Sequence, residues 1–547
     1  MNNNAKWWQK AAIYEVYPRS YQDSDGDGIG DLPGLISRLD YIRDLGVDAI
    51  WLAPVFKSPQ DDNGYDISDY KDIHPDFGTM ADFDLMLAEA NKRGMKIIMD
   101  LVINHTSDEH EWFQRALAGE EKYKNYYVIK KGENGNLPNN WGNFFADCPW
   151  EPFGDPANEE YYLHLFSKKQ PDLNWDNPEV YDEICDIMRF WLDKGIAGFR
   201  CDVINIIYKN TYENGKKHLA LTGKEHYIST EGCHKILANL RRDVMDKYDA
   251  FTVGETVMVT PKMAADLTDP ERGELDMVFA FQHMECDQVG VKWFKTKFKP
   301  KRLMKILTKW QNELDWNTCY LENHDQPRSV TRFTEGGQFR KVGSKMLIAL
   351  NFCLRGTTYF YQGQEIGMTN GAFNSLDEIM DIESHNVDKM AKKLGIIQPF
   401  RWRMINKTTR DNARTPMQWT DDKNAGFTTG TPWLKVHPNY TWVNAKGDLT
   451  DRQGIIAFFK KMNAYRKSSE ILKEGDFTQL AATKSVYAFK RELNEESLIA
   501  VFNFSTKEKK LPKCVFGSTV MSNYEGDSAK LRPYEFRLVS TKTAEDN

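Results

Sequence analysis

No stretch of this 547-residue sequence holds the ~18 consecutive apolar residues that a membrane-spanning helix needs. The opening MNNNAKWWQK also lacks the apolar core of a secretory leader. Cysteines are few, eight in all, and none is set as CxxC or at zinc-finger spacing. Neither a metal knuckle nor a disulfide scaffold is therefore expected, and reduced thiols in a cytoplasmic location are. A basic excess is missing too. The 72 Lys and Arg against 79 Asp and Glu leave a formal charge of −7, which argues against nucleic acid or an anionic membrane as partner. There is no tandem repeat and no low-complexity segment. What the chain does have is a 41% hydrophobic fraction with 13% aromatics, enough for a large core with appendages. A monomer or weak homo-oligomer acting on a small molecule is the expectation.

Strand-like and helix-like segments alternate from the N-terminus. Predicted strands cover 11–21, 48–53, 96–103, 196–201, 251–255, 276–281, 319–323 and 358–362. Between them lie helices with readable ends. One runs from 32 to 44, and another follows a Thr79/Asp82 capping box and stops at Gly94. A third starts at Asn177-Pro178, places Ile184, Ile187, Met188, Trp191 and Leu192 on one face, and ends at Gly195. Eight such units predict an α/β fold, a (β/α)8 TIM barrel. Residues 105–175 lose the regular pattern and read as a subdomain inserted after the third strand. The barrel then occupies 1–104 and 176–474, with a charged insertion near 370–415. From 475 to 547 the short alternating strands 485–490, 497–504, 519–523 and 534–539 predict a C-terminal antiparallel β-sandwich domain.

Two acidic features carry chemistry. The loop DSDGDGIGD, Asp23 to Asp31, has carboxylates at positions 1, 3, 5 and 9, a glycine at 6 and Ile29 at 7. This is EF-hand spacing, except that Gly34 stands where the bidentate glutamate belongs, so a Ca²⁺ loop outside a helix pair is expected. Acids also recur where strands end: Asp100, Asp202, Glu255 and Asp325. In a (β/α)8 barrel those positions converge on one mouth, together with His105, Arg200 and His324. Arg200 and Asp202 are two residues apart, so their side chains share a side and the cation holds Asp202 ionised, as a nucleophile requires. Glu255 follows the apolar run 251–254 and is the better candidate for a raised pKa. Such a pair suits glycoside hydrolysis.

DLVINH (Asp100 to His105), GFRCDVIN (Gly198 to Asn205), TVGE (Thr252 to Glu255) and ENHDQPR (Glu322 to Arg328) resemble the four signature regions of glycoside hydrolase family 13, the α-amylase clan. QPDLNW (Gln170 to Trp175), NGYD (Asn63 to Asp66), YQGQEIGMTN (Tyr361 to Asn370) and RDNARTPMQW (Arg410 to Trp419) are similar to its oligo-1,6-glucosidase subgroup. The resemblance implies Asp202 as nucleophile, Glu255 as acid/base and Asp325 as a third acid binding the sugar hydroxyls. It implies that Asp66, His105, Arg200, His324 and Arg414 hold the non-reducing glucose, with Tyr65 as stacking platform and Phe166 lining the pocket. It makes the acidic loop a Ca²⁺ site through Asp23, Asp25, Asp27, the Ile29 carbonyl and Asp31, and it implies no organic cofactor. Val203 is the residue the subgroup pairs with α-1,6 preference; it offers shape without a hydroxyl. The expected activity is that of an exo-acting retaining α-glucosidase on short isomaltose-like oligosaccharides. The alternative is a relative acting on sucrose, trehalose 6-phosphate or α-1,4 maltosides, or a sucrose isomerase. Cys201, Gln364 and Thr256-Val257-Met258 depart from the usual pattern on the leaving-group side.

Overall fold

Eight short parallel strands form the frame: β1 (Ala12–Val16), β2 (Ala49–Leu52), β3 (Lys96–Leu101), β4 (Gly198–Cys201), β5 (Phe251–Glu255), β6 (Met277–Phe279), β7 (Asn317–Cys319) and β8 (Gly356–Tyr361). The computed structural model describes residues 6–218, 221–526 and 528–541. The sheet runs β6-β5-β4-β3-β2-β1-β8-β7. Its two ends meet where the Thr318 hydroxyl donates to the Val278 carbonyl at 2.9 Å, which closes the barrel. Strands β1, β2, β4, β5 and β8 are buried at every position. That is why they read as continuous apolar runs rather than alternating ones. Gly198 at the start of β4 has φ +150°, and a Cβ there would lie 2.2 Å from the Phe251 carbonyl oxygen of β5. Only glycine lets β4 and β5 approach so closely.

The helices follow their end signals. Thr79 and Asp82 form the reciprocal capping box of Met80–Lys92. Asn177 caps Pro178–Lys194, whose buried face includes Ile184, Ile187, Met188, Trp191 and Leu192, and Gly195 ends it at φ +100°. Three expectations are corrected. The first strand stops at Val16 because Pro18 opens a 3-10 turn and cannot donate to a ladder. The helix expected over 32–44 is two, Leu32–Ser37 and Leu39–Asp44, broken at Arg38, whose guanidinium bonds Gln22 and lies 4.3 Å over the Trp419 ring. The seventh strand is Asn317–Cys319 rather than 319–323. Residues 320–323 leave the sheet instead, and buried Glu322 accepts from the Ser329 backbone and pairs with Arg328.

The insertion after β3 carries two short helices, Glu111–Leu117 and Glu121–Lys124, and a three-stranded antiparallel sheet with Glu160–Leu163 between Ile129–Lys131 and Trp150–Pro152. Bridges His105 to Asp172 and Tyr127 to Leu173 hold its return path beside the end of β3. After β8, the helices Ile382–Lys393 and Gln398–Thr408 make a second insertion. The C-terminal part has a five-stranded antiparallel sheet, ordered β9 (Asp476–Ala482), β10 (Val486–Leu493), β11 (Glu496–Asn503), β13 (Phe536–Ser540), β12 (Ser518–Ser522), and a two-stranded one. Strand β9 was not anticipated; it is largely exposed, with Phe477 its one buried residue. No helix among the described residues is long and apolar enough to cross a membrane.

Candidate active site

Arg200, near the end of β4, is the hub of the barrel mouth. Its Nη1 donates to Asp100 Oδ1 at 2.5 Å and to Asp202 Oδ1 at 2.6 Å, and its Nη2 donates to Glu255 Oε2. The guanidinium lies 5.3 Å from the Trp51 ring and 5.6 Å from the Tyr65 ring. One cation thus touches three carboxyl groups from β3, β4 and β5, more than the single Asp202 contact that strand alternation predicts. Burial pushes the Glu255 carboxyl up to about 8; Arg200 opposes this, while Asp202 and Asp325 add to it. Asp202 and Glu255 both sit on the Arg200 guanidinium, so the two carboxyls stand close together. Asp100 is wholly buried and accepts from Trp51 Nε1 at 2.9 Å, and burial lifts it to about 6.

Asp325 stands just past β7. Burial would raise its carboxyl, but His324, Arg414 and Arg410 outweigh that and hold it well below the ordinary carboxylate range. His324 is sandwiched between Tyr17 and Tyr65, with centroids at 5.9 and 5.3 Å and planes within 9°. Its Nδ1 meets Glu15 Oε1 at 2.7 Å, while its Nε2 meets the Tyr65 hydroxyl at 2.8 Å and Asp325 Oδ2 at 3.3 Å. Burial disfavours the imidazolium, yet Asp325 and Glu15 raise its pKa to about 10, so it is a cation at neutral pH.

The local backbone explains how Asp202 and Glu255 are aimed. Asp202 continues β4, its N–H bonded to the Leu101 carbonyl of β3. Val203 then turns at φ +36°, ψ +37°, a left-handed conformation rare for a β-branched residue and a recurrent mark of functional sites. Asn205 accepts from the Val257 N–H and donates to the Val257 carbonyl, both at 2.9 Å. The segments after Asp202 and Glu255 are thereby clamped together. Val203 packs in a separate apolar cluster with Ile206 and Tyr227, against which Phe166 and Val257 lie.

Several expected positions are corrected. Asp66 is fully buried, and its oxygens accept from the Ser58 hydroxyl and the Asp61 and Asp62 N–H groups. It shapes the loop, and burial brings its carboxyl to about 7. The acid that faces a cation across the mouth is Asp62, 2.8 Å from Arg410 Nη2. Arg410 in turn lies 3.7 Å from Asp325 and is held by Asp381. Arg414 is fully buried behind Asp325, donating to Asp325 Oδ1 at 2.5 Å and to the His324 carbonyl. Sequence reading chose the last acid of DDNGYD and the second arginine of RDNAR, whereas the bridge joins the middle acid, Asp62, to the first arginine, Arg410. Glu15 was also missed, although a carboxylate inside AIYEV was a visible signal.

His105 is buried beside the Tyr65 carbonyl, Gln170 and Asn104, and its ring is 5.2 Å from Phe166. Phe166 stacks on Phe144 at 5.0 Å. Tyr65 is only 6% exposed, with one face on His324. Asp172 is taken up by buried Lys209 at 2.6 Å and by the Leu165 N–H, an anchor of the insertion. In the acidic loop, Asp23, Asp25 and Asp27 each bring a carboxylate oxygen within 4.8 Å of the others. This all-oxygen set fits a hard divalent cation. Asp31 is not among them; its Oδ1 caps the helix Leu32–Ser37 at the Gly34 N–H, and its Oδ2 accepts from the Ser24 N–H and hydroxyl.

A closed parallel barrel with an aspartate held on an arginine beside a protonated glutamate at its C-terminal mouth is the equipment of a glycoside hydrolase. The family described as "Alpha amylase, catalytic domain" matches residues 15–475, and the chain belongs to it. It is 47% identical over 556 residues to an oligo-1,6-glucosidase of Parageobacillus thermoglucosidasius, covering 97% of this chain and 98% of that protein. Among solved structures, trehalose-6-phosphate hydrolase of Bacillus licheniformis superposes with TM-score 0.92 at 41% identity, covering 98% and 99% of the two chains. Trehalulose synthase of Pseudomonas mesoacidophila superposes with TM-score 0.94 at 37% identity, covering 98% and 100%.

Proposed function

We propose that this protein is an exo-acting retaining α-glucosidase that releases glucose from the non-reducing end of short α-1,6-linked gluco-oligosaccharides. The observation that carries the reaction is the pairing at Arg200, where Asp202 lies on the guanidinium while burial keeps a proton on adjacent Glu255 near neutral pH. An Asp202 oxygen attacks C1 as the C1–O bond to the leaving sugar breaks, and the Glu255 proton goes to the departing oxygen. Glu255, now a carboxylate, takes a proton from water as that water attacks C1. The ester to Asp202 breaks, and both groups return to their starting states. Two inversions leave the α configuration. Asp325, kept ionised by Arg414 and the His324 imidazolium, would accept hydrogen bonds from sugar hydroxyls. His105, Tyr65 and Phe166 would border the first glucose.

The Asp62–Arg410 bridge supports exo action because it spans the mouth beside Asp325. The neutral α-1,6 substrate is favoured by the likeness to oligo-1,6-glucosidases and by Val203, which has no hydroxyl for the second sugar. Buried Lys209 is consumed by Asp172 and Asn104 and is not free for a phosphate. In the acidic loop, Ca²⁺ would be held by Asp23, Asp25, Asp27 and the Ile29 carbonyl, neutralising a cluster of like charges and tying the loop together. A cytoplasmic setting fits the eight free cysteines, six of them buried.

The test is a panel of isomaltose, isomaltotriose, maltose, sucrose, trehalose and trehalose 6-phosphate, with the product anomer read early by NMR. Isomaltose should have the highest kcat/KM and release α-glucose. First release of β-glucose would exclude the double displacement. Asp202→Asn should lower kcat on the order of 10⁴-fold.

A further inference from the structure

A second cleft, of about 410 Å³, lies between the segment 295–300, the helix Ser329–Phe333 and the C-terminal sheet. That volume is in the range of small-molecule sites. Phe298 and Phe504 supply an apolar wall. Lys295, Lys297, Arg332, Lys407 and Lys484 line it, against the two carboxylates Asp287 and Glu335, so cations dominate in a chain that is acidic as a whole.

The floor is short of negative charge. Arg332 takes both oxygens of Asp287, with Nε at 3.0 Å and Nη2 at 2.6 Å. Lys295, its side chain only 4% exposed, has the same carboxylate at 3.5 Å as its ion-pair partner. Glu285, whose carboxyl burial raises and these two cations lower, forms no ion pair with either among the described residues. An ammonium withdrawn from water and sharing one carboxylate with a guanidinium is poorly compensated, and an anion in the cleft would supply the missing partner. Exposed Lys484 at the rim adds a donor suited to a group with several charged oxygens, and so does Lys297, whose exposed pairing with Glu335 at 3.7 Å is loose enough to yield to it.

We propose that this cleft binds a small phosphate-bearing anion, a phosphosugar or free inorganic phosphate, through Lys295 with Lys484 and Lys297. The cleft shares no lining residue with the carboxylate cluster of the barrel mouth and makes no use of it.

Isothermal titration of the full chain with glucose 6-phosphate, inorganic phosphate and glucose tests this, repeated on Lys484→Glu and Lys295→Met. The phosphate-bearing compounds should bind saturably, and each variant should weaken them by about tenfold or more, as loss of a charged hydrogen bond implies. Lys484→Glu should leave kcat/KM on isomaltose unchanged. Equal affinity for glucose 6-phosphate and inorganic phosphate would assign recognition to the phosphate alone; tighter binding of the phosphosugar would add the ring against Phe298. Absence of saturable phosphate binding, or affinity unchanged in both variants, would overturn the proposal.

Discussion

Glu255 is the residue whose environment most directly predicts a rate. Its carboxyl is raised to about 8 chiefly by burial, so the proton-donating form persists through neutrality and is lost as pH rises through that value. The logarithm of kcat/KM should therefore bend downward near pH 8 and then fall about tenfold per pH unit. Glu255→Gln should remove that bend while sparing part of the turnover of an aryl glucoside, whose leaving group needs no acid. A wild-type profile flat to pH 10 would contradict the assignment. The acids themselves were legible one by one, because each sits at the end of a predicted strand. The sharing of one arginine by three of them was not, since Asp100, Arg200 and Glu255 meet only across three neighbouring strands.

At the scale of elements, the insertion after β8 acts on the mouth through the acids that hold Arg410. Asp381, the N-cap of Ile382–Lys393, accepts from Arg410 Nε at 2.9 Å, and Arg410 then reaches Asp62 at 2.8 Å. Removing Arg410 takes the cation from buried Asp62, whereas removing Asp62 leaves Arg410 to Asp381 and Asp325 and opens the bridge. Arg410→Ala and Asp62→Ala should each raise KM for isomaltose about a hundredfold, with a smaller change in kcat. The double variant should be no worse than the poorer single, and additive losses would refute the coupling. The acidic loop allows a separate check. Chelation with EGTA should lower the melting temperature and excess Ca²⁺ should restore it, whereas an unchanged melting curve would remove the cation from the loop. Barrel strands buried on both faces announced themselves as apolar runs, and so did helices with capping residues. The seventh strand did not, because 320–323 is as apolar and β-prone as Asn317–Cys319; its departure is fixed by Glu322 capping the next helix.

For the whole molecule, the C-terminal sheet is joined to the barrel by a buried arginine that pairs with no carboxylate among the described residues. Arg491 of β10 donates to the Cys353 carbonyl at the end of the helix Arg340–Cys353 and to the Leu472 and Gly475 carbonyls. Burial lowers its pKa to about 9, with Arg466 nearby adding to the effect. Arg491→Met would leave these carbonyls unpaired and should destabilise the chain by about 3 kcal/mol. Urea unfolding followed by tryptophan emission would measure it, and an unchanged midpoint would show that the sheet docks without this contact.

The sequence by itself determined the barrel, the order of its catalytic candidates and the kind of reaction they suit, because strand burial, capping and strand-end acids are local signals with fixed periodicity. Which of two acids four residues apart closes the pocket, and which arginine meets it, was decided only in three dimensions. Asp62 and Asp66 stand in one short motif, DDNGYD, and Arg410 and Arg414 in another, RDNAR, so their neighbourhoods in the chain overlap. What separates them is whether the chain turns each carboxylate toward backbone N–H groups or toward a guanidinium 348 residues away.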